Sequence, residues 1–129
     1  MTSTDPRRLL GALGEALARR HLEARGLEVL DVNFRTRHGE LDVVAADERS
    51  LVFCEVKSRV VAAGSSQALG PLAAIGARKQ RQVRLIAREW LALRGSEVRT
   101  RSGLRFDAIG VEFDAGGRLL RLEHLEGAF

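Results

Sequence analysis

A single cysteine, Cys54, excludes an intramolecular disulfide from this 129-residue chain and is typical of a protein that folds in a reducing compartment. Tyrosine is absent and aromatic residues make up 5% of the sequence, which argues against an aromatic platform for single-stranded nucleic acid. No apolar run approaches the roughly 20 residues that a membrane-spanning helix needs. We therefore expect a cytoplasmic protein without membrane segments.

Histidine and lysine are also scarce. The histidines, His21, His38 and His124, share no metal-ligand spacing and form no recognisable arrangement with serine or cysteine, so zinc chemistry and acyl transfer are disfavoured. The only lysines are Lys57 and Lys79, and arginine carries most of the positive charge behind the net +4. A basic chain favours a polyanionic partner such as DNA or RNA, although genomic base composition alone can produce an arginine excess.

The apolar residues, 45% of the sequence, suffice for one core, and we expect one domain over residues 1–129. Their spacing predicts the order α-β-β-β-α-β-β, an α/β fold with a mixed β-sheet flanked by helices on its faces. The predicted helices span residues 6–25 and 77–93, and the predicted strands span 28–35, 40–46, 51–59, 104–113 and 118–125. Residues 60–76, rich in alanine, glycine and serine, are expected to cross over as a loop.

Each predicted helix has an apolar face. Asp5 is placed to cap the first helix, with Pro6 at its first position. Its buried stripe is predicted to consist of Leu9, Leu13, Ala16 and Leu17. The core face of the second helix is predicted to consist of Val83, Ile86, Ala87 and Trp90. Both helices should therefore pack against the sheet.

A predicted hairpin brings acidic side chains together. If the turn at residues 47–50 closes symmetrically, paired residues are equidistant from its centre, which places Asp42 opposite Glu55. Glu40 then lies opposite Lys57, and because strand side chains alternate, all four project from the same face. Two opposed carboxylates repel each other unless positive charge lies between them. A divalent cation such as Mg²⁺, which prefers oxygen ligands, meets that need.

These four residues could instead form the solvated face of the hairpin, with a cross-strand salt bridge. The third strand disfavours this interpretation, because Leu51 and Phe53 share the face of Glu55 and Lys57. Its opposite face carries Val52, Cys54 and Val56. Charges within a strand that is apolar on both sides usually have a function. Phosphodiester hydrolysis would use the acidic pair to hold a metal and Lys57 to polarise the attacking water and neutralise developing charge.

The segments GELDVVAAD and LVFCEVKSR resemble the Asp, then Glu-x-Lys, signature of the PD-(D/E)xK restriction-endonuclease-like superfamily. More closely, the chain is similar over nearly its full length to the YraN-like family. The further matching segments are GALGEALA at 11–18, residues 33–35, RKQRQVRLIAREWL at 78–91 and RFDAIGV at 105–111. The resemblance implies a restriction-endonuclease-like fold and a relationship to Holliday-junction resolvases.

The resemblance also implies roles for individual residues. Asp42 and Glu55 would bind a divalent metal, Mg²⁺ or Mn²⁺, and Lys57 would aid hydrolysis. Some superfamily members, including archaeal Holliday-junction resolvases, add a glutamate from the first helix, and Glu15 matches that position. Glu15 could instead pair with Arg19, four residues further along the same helix.

Other charged residues also admit two interpretations. Glu40 is either a carboxylate that orients metal-bound waters or the salt-bridge partner of Lys57. The basic residues of the second helix either contact phosphates along a groove or form a solvated face. They are Arg78, Lys79, Arg81, Arg84 and Arg88. Asp107, inside a predicted strand, is interpreted as structural.

Together the residues and the resemblance favour a Mg²⁺- or Mn²⁺-dependent endonuclease that hydrolyses phosphodiester bonds in DNA, including branched or unusual structures. We expect a homodimer, because one small domain presents one cutting site. The alternatives are a non-catalytic nucleic-acid-binding or partner-binding module that keeps the nuclease fold, and a folded adaptor whose acidic residues only stabilise the hairpin. Metal affinity and cleavage distinguish the three.

Overall fold

The computed structural model describes residues 5–62, 75–95 and 103–129. Its elements are α1 (Pro6–Ala24), β1 (Glu28–Thr36), β2 (Gly39–Ala46), β3 (Ser50–Val60), α2 (Ala77–Arg94), β4 (Gly103–Phe113) and β5 (Leu119–Leu125). The predicted element order and the α/β class with a mixed sheet are confirmed. Most of the predicted crossover loop, residues 63–74, lies outside the described residues.

The five strands lie side by side in the order of the sequence, β1-β2-β3-β4-β5. All neighbouring strands are antiparallel except β3 and β4, which are parallel. A parallel pair needs a long crossover, usually containing a helix, and α2 belongs to the chain between these two strands. Neither helix in the described ranges combines the length and apolarity needed to cross a membrane.

Two apolar clusters cover the two faces of the sheet. The cluster under α2 contains the predicted helix residues Val83, Ile86, Ala87 and Trp90, all buried, together with Phe53 of the central strand. The indole Nε1 of Trp90 also donates to Asp31 Oδ2 at 3.0 Å. The interpretation of Trp90 as a packing residue is confirmed, and α2 is held against β1 and β2.

The buried face of α1 differs from the predicted one. Leu9 and Leu13 are 56% and 44% exposed. Leu17 is partly buried against the second apolar cluster, which includes Ala18 and Leu22 of α1. The buried residues of the helix are Gly14, Ala18 and Leu22. A Cβ added at Gly14 would lie 1.8 Å from Ser58 Oγ, so this glycine brings the helix into direct contact with β3. The helix therefore packs closely through Gly14 and Ala18 together with Leu22, and Leu9 and Leu13 face outwards.

A buried polar network ties α1 to β4 and β5. The Asp107 carboxylate is fully buried and accepts from Arg105 Nε at 2.9 Å and from the backbone N–H of Gly127 at 3.0 Å. Its Oδ2 lies 2.7 Å from His124 Nε2, and His124 Nδ1 lies 3.0 Å from His21 Nε2 on α1. The structural interpretation of Asp107 agrees with this placement, because the network anchors the helix that carries Glu15.

The β2–β3 hairpin has the predicted register over four pairs, from Ala46 with Leu51 to Val43 with Cys54. Asp47 closes the turn, since its Oδ1 accepts from the backbone N–H groups of Arg49 and Ser50 at 2.8 and 2.7 Å. Beyond Val43 the two strands are no longer paired. The residues of β2 that precede Val43 in the sequence, including Asp42, lie where the two strands diverge.

Candidate metal centre

Asp42 occupies the point where β2 separates from β3. In place of a strand-to-strand hydrogen bond, its Oδ2 accepts from the backbone N–H of Val56 at 2.7 Å. Asp42 and Glu55 are therefore not ladder partners, as the symmetrical turn predicted, because the ladder ends one pair earlier. Their carboxylates are nevertheless neighbours, and the charge of Glu55 acts directly on Asp42. The strand separation leaves room for further acidic groups beside them.

Glu15 and Glu40 supply those groups. One carboxylate oxygen from each of Glu15, Glu40 and Asp42 lies within 4.8 Å of the others. Glu15 reaches this point because Gly14 seats α1 directly on Ser58 of β3. Of the two interpretations of Glu15, the structure places it with the other carboxylates. We refer to Glu15, Glu40, Asp42 and Glu55 below as the acidic cluster.

Asn33 links two members of the acidic cluster, and sequence reasoning did not single it out. It has a positive φ of 50°, a conformation that asparagine tolerates better than most residues. With its amide nitrogen turned towards them, it donates to Glu15 Oε2 and Glu40 Oε1, each at 2.9 Å. The signal in the sequence was its place in residues 33–35 of the YraN-like resemblance. Asn33 thus holds the α1 carboxylate against that of β2.

Glu40 has a different cation from the one predicted. Arg35, its neighbour across the β1–β2 ladder, approaches Glu40 Oε2 with Nη2 at 2.6 Å. The prediction that Glu40 lies opposite Lys57 is wrong, because β2 has left β3 before it reaches residue 40. Lys57 is exposed, and its charge offsets part of the rise that burial causes in the pKa of Glu55. Lys57 therefore lies beside the acidic cluster with its side chain in solvent.

Glu55 forms an ion pair with Lys79 of α2, a residue that the sequence analysis assigned to nucleic-acid contact. Lys79 Nζ, in the first turn of α2, lies 3.2 Å from Glu55 Oε1. The other oxygen, Oε2, is buried and has no hydrogen-bond partner among the described residues. A buried carboxylate oxygen without a partner is costly unless a cation or a donor satisfies it. At Glu55 Oε2 the acidic cluster therefore lacks a donor or cation from the described part of the chain.

The pKa values of three carboxyl groups in the acidic cluster are raised, as expected where carboxylates are buried with too few cations nearby. Burial, followed by the charge of Glu55, raises the pKa of Asp42 to about 7. Burial and then Glu40 raise the pKa of Glu15, and burial raises that of Glu55 against the opposing effect of Lys79. Hard oxygen donors, an orphaned oxygen and carboxylates that resist ionisation together fit a site for Mg²⁺ or Mn²⁺.

The arginines assigned from sequence to phosphate contact are exposed on α2. They are Arg78, Arg81, Arg84 and Arg88. Arg84 places its guanidinium carbon 4.6 Å from the centroid of the Phe106 ring, a cation–π contact that fixes its side chain. Arg78 and Arg81 line an open cavity of about 490 Å³ with His38. The structure therefore presents these cations to solvent, as either interpretation of this face requires.

The raised pKa of Asp42 predicts a pH dependence of stability. Between the ordinary value of 3.8 and about 7, this carboxyl binds its proton more tightly in the folded chain than in the unfolded chain. Its contribution to stability is therefore lost as the pH rises towards and through about 7. We expect the melting temperature of the metal-free wild type to fall more between about pH 6 and pH 8 than that of Asp42→Asn, which has no such proton.

A divalent cation should replace the stabilising effect of that proton. Adding Mn²⁺ is expected to raise the melting temperature of the wild type more at about pH 8 than at about pH 6, because the proton and the metal compete for the same carboxylate. Differential scanning fluorimetry of both proteins measures this difference. Identical pH profiles for wild type and Asp42→Asn would show that Asp42 does not titrate in this range.

Comparison with known proteins identifies relatives over nearly the whole chain. The sequence model of the uncharacterised protein family UPF0102 matches residues 14–111. A UPF0102 protein of Pelotomaculum thermopropionicum is 44% identical over 125 residues, which cover 97% of this chain and 98% of the relative. UPF0102 proteins of Frankia casuarinae and Rhodococcus jostii are 44% and 42% identical, each covering 93% of this chain and 95% of the relative.

A solved structure described as Pyrococcus furiosus SfsA in complex with Ca²⁺ is also similar to this chain. The match has 18% sequence identity and a TM-score of 0.37. It covers 93% of this chain and 63% of the other, so this chain spans just under two thirds of that protein.

Proposed function

The chain belongs to the uncharacterised protein family UPF0102, the family that its YraN-like segments predicted, and we propose that it is a divalent-metal-dependent nuclease acting on DNA. The observation that carries the proposal is the acidic cluster, in which carboxylates of α1 and β2 lie together and Glu55 of β3 acts on Asp42 through its charge. Its placement where two strands diverge is consistent with membership of the PD-(D/E)xK superfamily, which we include in the proposal.

Glu15, Glu40 and Asp42 would hold Mg²⁺ or Mn²⁺, and Glu55 would join them through the oxygen that Lys79 leaves free. When bound, the metal would supply the positive charge that stabilises the charge developing on a phosphate. Asn33 would keep two of these carboxylates in place, since its amide contacts both. Removing a residue that supports metal ligands in this way commonly lowers metal affinity or activity by about 10–100-fold.

Lys57 would act on the attacking water. Its exposed ammonium lies two residues beyond Glu55 on β3, where it can donate a hydrogen bond to a water and neutralise charge on the phosphate. The water oxygen would form the new bond to phosphorus while the bond to the leaving oxygen breaks. The proton that the water loses would pass to solvent, and the leaving oxygen would take one up from solvent. Lys79 would act through Glu55, since its ammonium contacts that carboxylate directly.

The exposed arginines of α2 would bind the phosphates that flank the reacting one. Arg78, Arg81 and Arg88 have no ion-pair partner among the described residues, and a net charge of +4 adds long-range attraction for a polyanion. Each such contact would position DNA without reading its sequence. We also propose a cytoplasmic homodimer, in which two such sites could each cut one strand of a duplex.

The proposal is tested by incubating purified protein with duplex, single-stranded and four-way-junction DNA, in Mn²⁺ or in EDTA. We expect cleavage in Mn²⁺ alone. Lys57→Ala should lower the cleavage rate by about 10²–10³-fold with unchanged Mn²⁺ affinity, because Lys57 acts on the water rather than the metal. Arg118→Ala, an exposed arginine at the β4–β5 turn, is the matched control and should cut normally.

One outcome would contradict the nuclease proposal, and another would contradict the role of Lys57. Absence of Mn²⁺-dependent cleavage on all three substrates would exclude a nuclease, and retained DNA binding would then favour a non-catalytic binding module. Full activity of Lys57→Ala would leave the metal centre in place but remove this lysine from the mechanism.

A further inference from the structure

A cavity of about 270 Å³ lies between α1 and β3, next to the acidic cluster. Its lining includes Arg7, Leu10, Gly11, Glu15, Val56 and Val60. Arg7, Gly11 and Glu15 are spaced four residues apart and form one stripe of α1. Glu15 therefore belongs both to the acidic cluster and to this cavity, which joins the two spaces.

Gly11 has no structural explanation in α1. Glycine in the interior of a helix is destabilising relative to alanine. Gly14 is required by the close contact with Ser58, but a Cβ added at Gly11 would meet nothing within 4 Å. The φ of Gly11 is not positive either, so any L-residue could adopt its backbone conformation. The absence of a side chain at this position keeps the cavity open.

The cavity is lined by apolar, acidic and basic side chains. Leu10, Val56 and Val60 provide apolar lining, and Glu15 of the acidic cluster also borders the cavity. Arg7, which also borders it, has an exposed guanidinium without an ion-pair partner among the described residues. Pockets for drug-sized ligands have volumes of about 300–1,000 Å³, so this smaller cavity suits a single ring system.

We propose that this cavity receives one unpaired nucleotide of a DNA strand whose reacting phosphate lies at the acidic cluster. The base would pack against the apolar walls, and the next phosphate along the strand would contact Arg7. This inference rests on the proposed nuclease function and deepens it, because it assigns the substrate a nucleotide displaced from base pairing. An enzyme that unstacks a nucleotide binds most readily where pairing is already interrupted.

Gly11→Leu tests the proposal, because it adds a side chain to the cavity lining at a position where the first added carbon would meet nothing within 4 Å. The matched control is Ala12→Leu, which adds the same side chain at an exposed neighbouring position of α1. The probes are a fluorescein-labelled duplex carrying a short single-stranded flap and the same duplex fully paired. Their binding is measured by fluorescence anisotropy in Ca²⁺, and Mn²⁺ binding is measured separately by calorimetry.

Gly11→Leu is expected to bind the flap duplex about tenfold more weakly than wild type, with little change on the paired duplex. Its melting temperature should rise, because leucine is the better helix former. Gly11→Ala, with a smaller side chain, should give a smaller loss, and Ala12→Leu should bind as wild type does. Mn²⁺ binding should be unchanged in all three variants.

Equal binding of the flap duplex by wild type and Gly11→Leu would overturn this inference and leave the nuclease proposal intact. A loss of Mn²⁺ binding in Gly11→Leu with normal binding of flap DNA by Gly11→Ala would also overturn it. If the wild type binds neither DNA, the subsite is excluded together with DNA as the substrate, and the Mn²⁺ titration then decides separately whether the metal centre exists.

Discussion

Asp42→Asn is expected to lower metal-dependent DNA cleavage by about 10²–10³-fold while the chain stays folded. Burial, and then the charge of Glu55, raise the pKa of Asp42 to about 7. The asparagine oxygen can still accept from the backbone N–H of Val56, which preserves the junction between β2 and β3. The substitution therefore removes the negative charge and keeps the hydrogen bond.

The cleavage rate in Mn²⁺ and the melting temperature together distinguish a lost ligand from a damaged fold. Removing one of several crowded carboxylates relieves repulsion, so the melting temperature of metal-free Asp42→Asn at about pH 8 should equal or exceed that of wild type. Glu48→Gln, an exposed carboxylate of the β2–β3 turn, is the control and should cut normally. Wild-type cleavage by Asp42→Asn would exclude Asp42 from the mechanism.

Asp107→Ala is expected to reduce the free energy of unfolding by about 3–5 kcal/mol, the largest stability effect that we predict. Burial alone would raise the pKa of Asp107, but hydrogen bonds from His124 and Arg105 outweigh it and hold the pKa below its ordinary value. Without the carboxylate, the Arg105 guanidinium and the buried His124 ring lose their acceptor. Uncompensated buried polar groups are among the most destabilising changes in a protein interior.

Urea unfolding monitored by circular dichroism measures this loss. Asp114→Ala provides a matched control, because Asp114 also accepts two backbone hydrogen bonds, from Gly116 and Arg118, but lies in the exposed β4–β5 turn. We expect it to cost no more than about 1 kcal/mol. Similar losses for the two variants would mean that the buried network contributes no more than an ordinary turn.

The order and class of the elements could be predicted because helices and strands impose different spacings on apolar residues. The face of α1 could not be predicted in this way. Leucines at helical spacing favoured Leu9 and Leu13, but the contact is made by Gly14 and Ala18, whose small size allows close approach to the sheet. A prediction based on hydrophobicity does not select glycine as a buried residue. The missing side chain of Gly14 nevertheless determines how closely α1 approaches β3.

The candidate site was predictable from local register and from the family resemblance, which supplied Glu15. Asp42 and Glu55 follow from the hairpin turn, because a short loop fixes which residues lie near each other. The contacts of Lys79 with Glu55 and of Asn33 with Glu15 join segments that are distant in sequence. These contacts depend on how the helices pack against the sheet and on the positive φ of Asn33. Neither feature produces a periodic pattern in the sequence. Their roles therefore required three-dimensional coordinates.

The most direct test of the metal centre is an isothermal titration of metal-free wild type with Mn²⁺, repeated with Asp42→Asn. The acidic cluster predicts at least one Mn²⁺ per chain in the wild type, with affinity that increases from about pH 6 to pH 8 as the carboxylates lose their protons. The variant should bind at least about tenfold more weakly. No Mn²⁺ binding by the wild type, or equal binding by both proteins, would contradict the metal centre and the nuclease function built on it.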